Sequence, residues 1–365
     1  MKKFGILVVM LSFLLTGCVR IPSLQDMAVV QGVGVDYEDG EYQLTLQVFS
    51  AEGSGGQTIL DPSQQNASTI TCRGESLMDA LSQTSLSQGR RFFLGHDRLL
   101  VLGDGTQALP LSQLLKSLSG SLSLREDVTV VTAENAASLL ETEVNQGLLP
   151  ALTLEQTVEN AAANGQVPHV RLLDLNRSLS ESWRSCLIPR LQLTDEEEGS
   201  LKTVEIVGAD LYNGGEYSTF LSESSAAGIL MLQNRLDQLA LTVELPDFGQ
   251  VGLELYRFQS SLRPTDTGWK LTASGSASVA EAPAQLEENR LEELTQVLTL
   301  QLEALCHQSW AETTLQERDL LFLGDILRRY QPASWKQVEN DWPHPLAGSS
   351  LELDLQIKID RFPYE

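Results

Sequence analysis

Strict alternation of apolar and polar positions marks both ends of the chain. Tyr42, Leu44, Leu46 and Val48 alternate with Gln43, Thr45 and Gln47, which predicts a half-buried strand. The apolar run Val29–Val35, interrupted by Gly32 and Gly34, predicts a buried strand before it, and Asp39-Gly40 between the two is a hairpin turn signal. At the far end Leu351, Leu353, Leu355, Ile357 and Ile359 alternate with Glu352, Asp354, Gln356, Lys358 and Asp360, a long amphipathic strand.

Between these ends the period changes repeatedly. Residues 51–68 are rich in Gly, Ser and Gln and read as a loop. Strands are expected at Ile70–Arg73, Arg98–Leu102, Val128–Thr132 and Ile188–Leu193, and helices at Ser76–Ser85, Leu111–Leu118, Ala133–Glu141, Leu154–Ala163 and His169–Leu179. The acidic run Asp195-Glu196-Glu197-Glu198 reads as a solvated loop and a domain boundary. Beyond it come a strand at Val204–Leu211, a turn at Asn213-Gly214-Gly215, and a return strand at Tyr217–Leu221. A short helix running to Leu232 follows, with Ser222 and Ser224 placed to cap it. Leu239–Leu245, Val251–Leu262 and Trp269–Ala280 suggest an antiparallel meander that the final strand completes. Pro283 is placed to open a long helix, Ala284–Ser309, with Leu291, Leu294, Leu298, Leu302 and Leu305 on one face, and Leu315–Tyr330 reads as a second helical stretch. The expected class is α+β with several domains. A mixed α/β domain spans 18–195, a hairpin-helix subdomain 200–236, and an antiparallel sheet with packed helices 237–365.

The first residues change the picture of where this body resides. Lys2 and Lys3 precede an apolar run, Ile6–Leu15, of signal-peptide length and too short to span a membrane. It ends in Leu15-Thr16-Gly17-Cys18, which resembles the lipobox of bacterial lipoproteins. That resemblance implies removal of residues 1–17 and acylation of Cys18, and two or more acyl chains hold a protein stably where one holds it marginally. Without its first 17 residues, which carry two Lys and no acid, the chain of 348 residues has a formal charge of −26 instead of −24. Such acidity argues against nucleic acid as a partner and leaves membrane attachment to the lipid anchor, not to a basic patch.

Candidate chemistry is sparse. Apart from Cys18 only Cys72, Cys186 and Cys306 are present, which excludes a disulfide-rich scaffold, leaves room for one bridge whose pair the sequence does not pick, and favours small buried hydrophobes. His96, His169, His307 and His344 make no metal-ligand spacing, and no phosphate loop, dinucleotide turn or nucleophile elbow occurs. The residues alone indicate a membrane-tethered module without a catalytic, cofactor or metal site. Cys18 is the one residue with an assigned role.

Several blocks, in order, resemble the Ger(x)C family, the lipoprotein C subunits of spore germinant receptors. They are Gly32-Val33-Gly34-Val35-Asp36 followed by Asp39-Gly40-Glu41-Tyr42, Gly95-His96 before Arg98-Leu99-Leu100, and the strand, turn, strand and Gly-containing helix of 208–232. Asp319-Leu320-Leu321-Phe322-Leu323-Gly324, Tyr330, Pro332, Trp335 and Trp342 complete the series. Where the family usually has Trp after the lipobox Cys, this chain has Val19. The resemblance implies a non-enzymatic subunit that works with two types of integral-membrane receptor subunit at the outer face of the spore inner membrane, in assembly or signalling for germination. Gly32 and Gly34 are expected to serve close packing, His96 a turn or core, and Trp335 and Trp342 the core. The competing readings are a solute-binding lipoprotein of an ABC transporter, which requires two similar α/β lobes around a cleft, and an extracytoplasmic hydrolase, which requires a nucleophile or carboxylate site.

Overall fold

The computed structural model describes residues 27–49, 67–88, 91–142, 150–195, 202–283 and 290–361. Cys18 and most of the expected loop at 51–68 lie outside these residues, as does the acidic run beyond Asp195.

The opening pattern folds as expected. Strand β1 (Met27–Glu38) turns at Asp39-Gly40, both with positive φ (54° and 87°), and returns as β2 (Glu41–Phe49). Positive φ at both positions is the geometry that favours Asp-Gly in a tight hairpin. Next come β3 (Ala67–Gly74), helix α1 (Leu77–Gln88), the short β4 (Arg91–Phe93), β5 (Leu99–Gly103), α2 (Leu111–Leu122), β6 (Thr129–Ala133), α3 (Ala136–Glu141), α4 (Pro150–Ala163) and α5 (Leu172–Ser178). Helix α5 begins three residues later than its periodicity suggested, because Arg171 forms a bridge with Thr129 and the chain before it stays extended. Strand β7 (Ser185–Asp195), β8 (Lys202–Asn213) and β9 (Glu216–Leu221) complete a nine-stranded mixed sheet, ordered β3-β2-β1-β5-β6-β7-β8-β9 with β4 also paired to β1.

Strands β1, β5, β6 and β7 are parallel and central. Every residue of β5 and β6 is buried, which explains why they read as unbroken apolar runs. Helices α1, α2 and α5 cover one face through Leu77, Leu111, Leu114, Leu118 and Leu175, and α3 and α4 cover the other through Leu139, Leu140, Leu154 and Val158.

The expected break after the acidic run does not divide the sheet. β7 pairs antiparallel with β8 from Ser185↔Asn213 to Asp195↔Lys202, so the hairpin expected in a separate 200–236 subdomain extends the first sheet. Its helix, α6 (Glu223–Leu232), is buried almost all round and packs into the second core. The Ser222 hydroxyl engages those of Ser224 and Ser225 instead of capping the backbone.

Strands β10 (Gln238–Leu245), β11 (Gly249–Pro264) and β12 (Gly268–Glu281) form the expected antiparallel meander. The long helix α7 (Leu291–Glu312) follows and buries Leu294, Leu298, Leu302, Cys306 and Trp310. The expected second helix is broken. A 3-10 turn at Thr314–Gln316 and an irregular segment precede α8 (Leu323–Tyr330), and α9 (Pro332–Val338) follows. The closing strand β13 (Ser350–Arg361) joins β12 in parallel, so the second sheet is mixed, not purely antiparallel. A parallel partner requires a crossover, and the three helices α7–α9 supply it.

The fold is α+β. The two units differ in topology, so among the described residues there is no pair of similar lobes such as a solute-binding lipoprotein needs. No described helix is long and apolar enough to cross a membrane.

Candidate functional site

The motif residues fall into three places, and the most elaborate is the joint between the two units. After α7 the chain turns at Glu317 (φ 60°) and again at Phe322 (φ 55°), which holds the segment between them against the start of β7. Arg184 and Asp319 form a parallel bridge, Ser185 N–H donates to the Asp319 carbonyl at 3.3 Å, and Gln233 at the end of α6 donates to the Leu320 carbonyl at 2.7 Å. The Asp319 side chain is fully buried. Its Oδ1 accepts from Leu323 N–H (2.7 Å), and its Oδ2 accepts from Gly324 N–H (2.9 Å) and from Trp342 Nε1–H (3.0 Å). One carboxyl group thus caps α8 and ties it to the segment beyond α9. Burial pushes this carboxyl up to about 6, against the pull of its three N–H donors.

Three indoles enclose the cap. Trp335 and Trp342 lie 5.4 Å apart between ring centres, and Trp183 lies 5.9 and 6.3 Å from them. A side chain at Gly324 would meet Trp183 and Trp342 at 2.9 Å, so only glycine admits both rings at the start of α8. The Arg184 guanidinium sits over the Trp183 and Phe322 rings and pairs with Asp325, which also pairs with Arg328. The arrangement is a cross-unit latch built on a buried acid. Trp335 and Trp342 are core residues, as expected. The bond from Trp342 to Asp319, and the parts of Trp183 and Arg184, follow no local sequence pattern, because their partners are remote in the chain.

The second place is the end of β1. Gly32 and Gly34 lie under α3 and α4. A Cβ on Gly32 would stand 2.9 Å from Ala151 and one on Gly34 3.0 Å from Leu140, so both glycines serve close packing. Asp36 accepts from Ala136 N–H (2.8 Å) and Ala137 N–H (3.1 Å) at the first turn of α3, and burial raises its carboxyl above the ordinary range. Nearby, Arg190 forms a two-pronged pair with Asp104 at 2.7 Å and reaches buried Asp210 at 2.9 Å. Asp36→Ala is expected to cost about 1–2 kcal/mol, the usual loss for a helix cap, read as a lower urea midpoint with an unchanged slope.

The third place is the turn at Gly95-His96. The His96 ring is exposed and packs edge-on against Phe93 at 5.6 Å. Its neighbour Asp97 is the buried residue, 2% exposed, and accepts from Arg125 N–H at 3.2 Å. Cys72, Cys186 and Cys306 are free thiols. Burial pushes the Cys186 and Cys306 thiols up to about 12, which keeps them neutral, while Cys72 is half-buried on the strand β3. Among the described residues no three His, Cys, Asp or Glu side chains converge as a metal site.

The spore germination protein N-terminal domain matches residues 22–193, and the spore germination B3/GerAC-like C-terminal domain matches residues 207–362. The chain belongs to the Ger(x)C family. Spore germination protein KC of Bacillus subtilis (strain 168) is 22% identical over 98% of this chain and 94% of its own length. The putative spore germination protein YfkR of the same organism is 20% identical over 73% of this chain and 70% of its own. The crystal structure of the GerBC protein superposes with a TM-score of 0.57 at 16% identity, covering 93% of this chain and 99% of that one, which shows the shared fold. Within the Ger(x)C family, then, this chain is a spore germination protein. The Gly-Val-Gly-Val-Asp block and the 319–324 block do structural work here, holding helices to the first sheet and one unit to the other.

Proposed function

We propose that the chain is a lipid-anchored, non-enzymatic subunit of a nutrient germinant receptor, held by Cys18 at the outer face of the spore inner membrane. It acts there in assembly or signalling together with two types of integral-membrane subunit. The observation that carries this reading is the match of both family domains, in order, behind the lipobox Leu15-Thr16-Gly17-Cys18. The buried acids support it in a smaller way: Asp36 and Asp319 cap helices, Asp210 pairs with Arg190, and Asp97 accepts from Arg125 N–H.

Membrane fractions of dormant spores provide the test. The wild-type protein is expected in the inner-membrane fraction, Cys18→Ala is expected to be lost from it, and affinity capture of the wild type is expected to bring down two multispanning proteins. Capture of an ATP-driven permease instead, or full membrane retention of Cys18→Ala, overturns the reading.

A further inference from the structure

The end of β1 nearest the tether carries apolar side chains that the described residues leave uncovered. Val29 pairs with Phe93 in the parallel strand β4, and Val30 pairs with Val48 in β2, one residue before Phe49. Alternation puts Val30 and Val48 on the face covered by α1 and α2, where both are buried. Phe49, Val29 and Phe93 therefore lie on the opposite face, side by side across three adjacent strands. Phe49 is 36% exposed and Phe93 39%, with Val29 half-buried between them. The Phe93 ring is held, not loose. A Cβ on Gly95 would fall 2.5 Å from it, and His96 packs against its edge. The Gly95-His96 turn thus fixes an aromatic ring at the surface.

We propose that Phe49, Val29 and Phe93 form a membrane-contact surface that seats this end of the body on the lipid bilayer and so sets its orientation. The inference rests on the acylation of Cys18 proposed above. Met27 is nine residues from Cys18, a reach of at most about 30 Å, so this end of the sheet stays beside the bilayer whatever path the tether takes. Aromatic side chains partition into the boundary between headgroups and acyl chains. Without residues 1–17 the body has a formal charge of −26 and no general attraction to anionic headgroups, which leaves apolar contact to bring it onto lipid. A second copy is a poorer occupant. The exposed parts of two Phe rings amount to roughly 150 Å², far below the ~800 Å² per partner of a stable interface.

The test uses the full acylated chain on vesicles of phosphatidylethanolamine and phosphatidylglycerol. A nitroxide is attached at position 49, 93 or 300 through Phe49→Cys, Phe93→Cys or Leu300→Cys, in a Cys72→Ser background. Cys186 and Cys306 are buried, and Leu300 is a surface residue of the second unit, 64% exposed. The labels at 49 and 93 are expected to gain oxygen accessibility and lose access to a water-soluble nickel relaxant when vesicles are added, while the label at 300 does not change. Adding Phe49→Ser is expected to abolish the shift at 93. Protein that binds the vesicles while all three labels stay in water overturns the membrane-contact surface and leaves the anchor standing. Acylated protein that fails to bind vesicles removes the anchor and this inference together. Immobilisation of the label at 93 without lipid, rising with protein concentration, shows a second copy on the patch and also overturns it.

Discussion

Asp319→Ala is expected to destabilise the protein by about 3–5 kcal/mol at pH 5, the largest loss from any single carboxyl group here. Three buried N–H donors, those of Leu323, Gly324 and Trp342, lose their acceptor together. Each buried donor left unpaired costs about 1–3 kcal/mol. Urea unfolding followed by tryptophan fluorescence reads the loss, and Trp342→Phe, which removes one donor and keeps an aromatic ring, is expected to cost less than half as much. The penalty depends on pH, with a definite sign. The carboxyl rises from 3.8 in the unfolded chain to about 6 in the folded one. The folded state therefore holds a proton that the unfolded state releases. That contribution is fully present below pH 3.8 and is lost as pH rises through 6. The cost of Asp319→Ala should shrink between pH 5 and pH 8 by about 1–2 kcal/mol, the part of the shift that lies above pH 5 at about 1.36 kcal/mol per pKa unit. A cost of Asp319→Ala that is flat over this range would show that the buried acid is already fully ionised at pH 5.

Gly228→Ala sets two effects against each other, and their sizes decide the outcome. Alanine at an interior helix position gains about 1 kcal/mol of helix propensity over glycine. At Gly228 the new Cβ would stand 2.1 Å from Ser309 Oγ and 2.4 Å from the Leu305 carbonyl oxygen, both on α7. A hydroxyl can rotate away, but a backbone carbonyl cannot, so α6 and α7 must separate. Overpacking of this kind costs about 1–3 kcal/mol, more when backbone must shift. The expected net effect is a loss of about 2 kcal/mol and a lower thermal midpoint. Gly120→Ala in α2 is the control, because its Cβ would meet nothing within 4 Å, and it is expected to be neutral or stabilising. A stabilised Gly228→Ala would mean that the two helices are free to move apart.

Period and turn chemistry made much of the fold legible before any coordinates. The β1–β2 hairpin, the β8–β9 hairpin, the three-strand meander and the buried stripe of α7 all announce themselves locally. Partner choice does not. Nothing in Asp195-Glu196-Glu197-Glu198 says whether the strands on either side of it share a sheet, and β7 and β8 do, because each has an apolar face to bury against the same core. The alternation of Leu351 to Ile359 fixes which face of β13 is inward and is silent on its direction, which the length of the crossover decides. Leu315–Tyr330 keeps helical spacing throughout, yet Asp319 turns its carboxyl onto the backbone of Leu323 and Gly324 and starts a new helix there. The latch was half visible. Gly324, Trp335 and Trp342 stand out as residue types, but Trp183 and Arg184 come from the other unit and become neighbours only through folding.

The parallel register of β13 has a consequence for the protein during its own synthesis. The ribosome completes β10, β11 and β12 and then three helices before the last strand exists. Throughout that interval the outer side of β12 is a row of unpaired amides and carbonyls, a template for any other extended chain. Its native partner is remote in sequence, so the pairing is slow to form even when available. A chain terminated before Ser350 therefore has β12 instead of β13 as the edge of its second sheet. Such a product would present the core-facing strand β12 as its sheet edge and is expected to be more prone to proteolysis or aggregation.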